Sequence, residues 1–85
     1  MLNLDEIADE IARLDSQLNE LDAQGKKPGD PEWSRVDDRL TEIGEQLNSD
    51  GGEDKMREGL TLAYEKGLSG RYVDRHWNHI GDWMG

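Results

Sequence analysis

Cysteine is absent from the 85 residues, proline occurs twice, and aromatic residues make up only 6%. Without cysteine no disulfide can staple the chain and no thiolate can hold a metal. Apolar residues are scarce as well, at 33%, against 35% charged residues. A single small domain of this kind buries only about 60% of its unfolded surface. It therefore needs a well-ordered helical bundle, a partner or a second copy for stability. Long apolar runs are missing too, and no basic stretch precedes an apolar one as in a secretory leader. The expectation is a soluble cytoplasmic protein that neither crosses nor anchors to a membrane. Positive charge is the last shortage: ten Lys and Arg face twenty Asp and Glu, a formal charge of −10.

What is present is periodic. Leu4, Ile7, Ile11, Leu14, Leu18 and Leu21 follow one another at steps of three and four, the a/d seam of a coiled coil. Asn3 is placed to cap this helix with Glu6 completing a capping box, and Gly25 to end it. Trp33, Val36, Leu40, Ile43 and Leu47 repeat the pattern after Asp30-Pro31, an N-cap residue followed by proline at the first helical position. Two helices of about 18 residues, each about 27 Å long, joined by about nine residues, predict an antiparallel hairpin. A seam this narrow must be covered by the C-terminal helices, by a second copy or by another protein.

Residues 1–48 are thus expected to form an acidic α-helical hairpin, 49–54 a Gly-rich joint (within the polar run NSDGGED from Asn48), and 55–85 a C-terminal helix pair, all within one small domain. In the last part Met56, Leu60, Ala63 and Tyr64 share a face. Gly67 is placed to close the third helix, with Leu68 folding back on it. Ser69 is placed to cap a fourth helix, whose stripe holds Tyr72, Val73, His76, Trp77, Ile80, Trp83 and Met84. So many large residues on one short helix make it either the main packing element or a docking face, with Trp77 and Trp83 as the aromatic anchors. The fold class is all-α: a coiled-coil-like antiparallel hairpin followed by two shorter helices.

Chemistry is thinly provided. Ser16, Ser34 and Ser49 fall on hairpin helices or in the joint, without a base beside them. The glycines near residue 51 lack the lysine and Ser/Thr of a phosphate-cradling loop, and the terminal glutamate of a calcium loop. His76, His79 and Asp82 step by three but lack a fourth ligand. Neither enzyme, cofactor nor metal centre is expected.

Charge is divided unevenly, and the two halves point to different partners. Residues 1–54 hold sixteen acids and five bases, whereas 55–85 hold four and five. Along 4–22 and 31–48 the net charge of −9 is spread over about 27 Å. That is roughly one charge per 3 Å, near the ~3.4 Å spacing along a nucleic-acid strand. A rod with this field suits a basic groove, with Asp9, Glu10, Asp37, Asp38, Glu42 and Glu45 as its contacts. In size and charge the chain resembles the small acidic inhibitors of phages and mobile elements, the anti-restriction and anti-CRISPR proteins. The resemblance implies a non-enzymatic nucleic-acid mimic that occupies another protein's basic surface, with a homodimer as a further option. The stretch LAYEKGLSGRYVDRHW carries a second resemblance, to a helix-turn-helix, through Ala63, Gly67, Leu68 and Val73. It implies the alternative, a DNA-binding regulator dimerising through the hairpin, with Arg71, Arg75, Asn78 and His79 as contacts.

Overall fold

The computed structural model describes residues 3–83. It is all-α, with no strand among the described residues: α1 (Leu4–Ala23), α2 (Pro31–Glu65), α3 (Tyr72–His76), and a 3-10 turn at Trp77–His79. The heptads of the two predicted hairpin helices account for α1 and the first part of α2. Ile11, Leu40, Ile43 and Leu47 from those seams are completely buried. Asn3 Oδ1 accepts the Glu6 N–H at 3.2 Å and caps α1. At the other end Lys26 N donates to Leu21 O and Gly25 N to Asp22 O, the paired bonds of a Schellman ending. The same pair of bonds closes α2, from Leu68 N to Ala63 O and from Gly67 N to Tyr64 O. Leu68 is buried there as the expected hydrophobic contact.

Two capping expectations are corrected. Asp30 sits at the N-cap of α2 but makes no side-chain bond to it. Its Oδ2 accepts from Lys27 N instead and closes the preceding turn. Ser69 caps no helix, because α3 begins only at Tyr72 behind Arg71. The backbone N–H of Ser69 is engaged by Asp15 Oδ2 at 3.3 Å.

The joint expected at 49–54 falls on a kink within α2. Gly51 (φ −160°, ψ 17°) and Gly52 (φ 70°, ψ −156°) leave helical geometry there, and two helical stretches meet across them. The Gly52 conformation lies where a side chain would be strained. The result is a sharp elbow in α2 between a limb at 31–50 and a limb at 53–65, bridged by Lys55 and Asp50 at 3.6 Å. The second limb folds back along α1 and runs in the same direction. Lys66 reaches Asp5 and Asp9 near the start of α1, and Ser69 meets Asp15 further along. Met56, Leu60 and Ala63 are buried in this contact.

The C-terminal segment departs most from expectation. In place of one helix out to Met84, which lies outside the described residues, α3 spans five residues and gives way to 3-10 geometry. Trp77, Ile80 and Trp83 are all buried and step by three. The 3-10 turn ends at Ile80, whose backbone is extended (φ −102°, ψ 115°), and Gly81 (φ 54°) turns the chain again before Trp83. The bonds Ile80 N to Trp77 O and Trp83 N to Ile80 O close these two turns. Trp77 seats against α2 through a bond from Nε1 to Leu40 O at 3.0 Å. Gly44 makes the seat. A Cβ there would stand 2.7 Å from both Trp77 Nε1 and Ile80 Cδ1, too close for any side chain. Trp83 packs edge-on to Trp77, with 5.5 Å between centroids. It also donates to Asp74 O at 2.7 Å and lies under the Arg57 guanidinium at 4.9 Å.

Candidate functional site

Six carboxylates were expected to form one acidic contact face, and the tertiary structure divides them. Glu10 is held by Arg39, whose Nε and Nη2 donate to its two oxygens at 2.6 and 2.8 Å. Glu42 takes a third bond from the same guanidinium at 2.7 Å. The hydrogen bond from Arg39, and then its charge, hold the Glu10 carboxyl below its ordinary pKa against the opposing effect of burial. Asp9 shares Lys66 with Asp5, at 3.3 and 2.9 Å, and the two carboxylates raise the lysine pKa. Asp37 accepts the Tyr72 hydroxyl proton. Burial and then that bond push the Tyr72 phenol up to about 12. Only Asp38 and Glu45 stay exposed without an ion pair among the described residues. They lie seven residues apart, so they share the outer side of α2 about 10 Å apart.

Trp77 and Trp83, expected as aromatic anchors for a partner, are turned inward. Their exposures are 0% and 2%, so both rings already spend their apolar surface on the chain's own core.

The four residues named for the DNA alternative, Arg71, Arg75, Asn78 and His79, are all exposed. Arg71 donates through Nε and Nη2 to Asp74 Oδ2. Arg71 and Arg75, with Tyr72 and His76, border an open recess of about 610 Å³. The helix that would carry them is five residues long, about 7.5 Å. His76 is turned inward. Its ring stacks on Tyr72 at 5.5 Å, and its Nε2 meets Thr41 Oγ1 at 2.9 Å. The His79 ring lies edge-on to that of His76, with 6.0 Å between centroids. Among the described residues no three His, Asp or Glu side chains gather to hold a metal. No helix among them is long and apolar enough to cross a membrane.

Two features went unseen in the sequence. One is Asp15, buried at 4% exposure on the seam of α1. Burial raises its pKa, while the bonds from Ser69 act in the opposite direction. The other is a recess of about 440 Å³ between α1 and α2, bordered by Leu14, Gln17, Glu20, Leu21, Arg35 and Val36 among others. Both depend on the hairpin register and on which neighbour covers each face. The Asp15 position alone carried a signal, as a polar residue beside the seam leucines Leu14 and Leu18.

Comparison with protein-family models, with curated proteins and with solved structures finds no match to this chain. The functional reading therefore rests on its own residues.

Proposed function

We propose that the protein is a non-enzymatic binding module that acts in the cytoplasm by occupying a basic surface of a partner protein. The supporting observation is the carboxylate excess left after internal pairing. Glu6, Asp22, Asp38, Glu45, Asp54 and Glu58 carry no ion pair among the described residues, whereas Lys55 and Arg57 on the second limb of α2 and Lys66 just after it are all engaged. The outward negative field is therefore not cancelled from within. Such a field steers association with a positively charged groove and sets its orientation. A partner surface built for a nucleic-acid strand is the natural target, and filling it would inhibit the partner. The contact set is narrower than first expected. Asp38 and Glu45 carry it, with Glu42 and Asp9 contributing charge already partly offset by Arg39 and Lys66.

The helix-turn-helix alternative fits less well. Its recognition helix is too short to lie along a major groove, and Arg71 is paired within the chain. Phosphate neutralisation needs several free cations.

The test is capture from the protein's own cell extract at two ionic strengths, followed by identification of what is retained. The expected result is a basic protein held at low salt and released at high salt, and lost when Asp38 and Glu45 are both changed to lysine. Retention that ignores both salt and the charge reversal would sink the proposal, as would a gel shift with duplex DNA that disappears in Arg75→Ala.

A further inference from the structure

Between Pro31 and Glu65 only Gly51 and Gly52 leave helical geometry, and the bend depends on both. Gly52, at φ 70° and ψ −156°, occupies a region essentially closed to residues with a Cβ. A Cβ on Gly51 would stand 3.0 Å from the Cβ of Lys55. A straight helix makes neither demand. There the same two glycines are a handicap, each about four- to fivefold worse than alanine.

The elbow separates two halves that hold each other. Lys66 after it pairs with Asp5 and Asp9 before it, at 2.9 and 3.3 Å. Trp77 Nε1 donates to Leu40 O, Tyr72 donates to Asp37, and Gly59 lies close against Leu47. None of these contacts requires both partners to belong to one chain. The Lys55–Asp50 pair, by contrast, spans the elbow itself. Straightening takes it apart, because residues five apart on a helix point to different sides.

The limb at 53–65 runs antiparallel to the limb at 31–50. Two straightened copies of α2 can therefore lie antiparallel and cross at the glycines, each second limb meeting the first limb of the other copy. The contact is two-fold, and every surface is refilled by the segment it already fits in the closed chain. That identity names the occupant as a second copy.

We infer that Gly51–Gly52 is a hinge through which two copies exchange residues 53–83, and that the two glycines favour the closed form. In the exchanged dimer α2 is one helix of 35 residues, about 52 Å long, against a longest extent of 36 Å for the closed molecule. This does not depend on what the acidic face binds.

Sedimentation equilibrium of the full chain tests the inference, with circular dichroism to follow folding. Gly51→Ala with Gly52→Ala should strengthen dimerisation at least about a hundredfold over wild type, since two helix positions improve in each of two chains. The nature of the dimer is read by zero-length carbodiimide coupling of Lys66 to Asp5, in heavy-isotope and ordinary chain refolded together. Exchange gives linked peptides of mixed label, whereas the closed chain gives same-label links only. A variant that folds and stays monomeric overturns the inference, as does a dimer whose Lys66–Asp5 links are all same-label. Should the variant fail to fold, the wild type decides. Warmed and cooled at high concentration it should yield mixed-label links, and their absence overturns the inference.

Discussion

The two long faces of the hairpin share one heptad pattern and meet different fates. On one face Ala8, Ile11, Leu14, Asp15 and Leu18 of α1 are buried, with the limb at 53–65 and the C-terminal segment over them and over α2. On the other, the Arg39 clamp on Glu10 and Glu42 spans the two helices, and beyond it a recess beside the half-buried Leu21 stays open. Seam spacing alone therefore does not say what covers a helix. The covered face is marked by residues that look out of place in a heptad. Gly44 is needed to admit Trp77 and Ile80, and Gly59 lets the second limb come close to Leu4 and Leu47. The open face has no such notch and is ringed by charged groups and glutamines.

This contrast can be broken most severely from the covered side. Trp77→Ala removes the largest fully buried side chain and its bond to Leu40 O. It should cost about 3–5 kcal/mol in urea unfolding. Gly44→Val fills the Trp77 seat and should cost about 1–3 kcal/mol, with Trp fluorescence shifting red as the segment lifts off.

Two carboxylates on α1 sharpen the comparison through pH. Asp15, on the covered face, has its pKa raised in the fold. Folding therefore favours its protonated form, and this contribution is present below the unfolded carboxyl pKa and lost as pH rises through the raised value. Asp15→Asn should stabilise the protein at neutral pH by up to about 1 kcal/mol, and the gain should vanish in acid. Glu10, on the open face, has its pKa lowered. Its contribution is present above the unfolded value and lost as pH falls through the lowered one. Glu10→Gln should cost about 0.5 kcal/mol at neutral pH, because the pair with Arg39 is partly solvated and screened. That cost too should fade in acid. Thermal melts across pH 2–7 should show the two differences converging on zero from opposite sides. The smallest stability effect belongs to Asp38→Lys with Glu45→Lys, within about 0.5 kcal/mol of wild type.

The hairpin was legible because its determinants are local. The three-four spacing of Leu4 to Leu21, the Asn3 cap and the glycine endings at Gly25 and Gly67 depend on neighbours only a few residues away. The C-terminal segment was not, because its form answers to a wall built by α2. The chain extends at Ile80 and turns at Gly81 so that Ile80 and Trp83 are buried beside Trp77. The candidate contact set shrank for a similar reason. Glu10 and Arg39 are 29 residues apart, and only the register of the hairpin brings them within bonding distance.

By itself the sequence determined the helical class, the limits of α1, the start of α2 and the excess of negative charge. These follow from periodicity, capping and composition, which act along the chain. Tertiary structure alone decided that the double glycine is an elbow and not a loop, that both C-terminal tryptophans face inward, and which carboxylates remain free. Those outcomes depend on what each side chain meets across space, because burial and ion pairing are properties of a pair of surfaces and no single segment contains both.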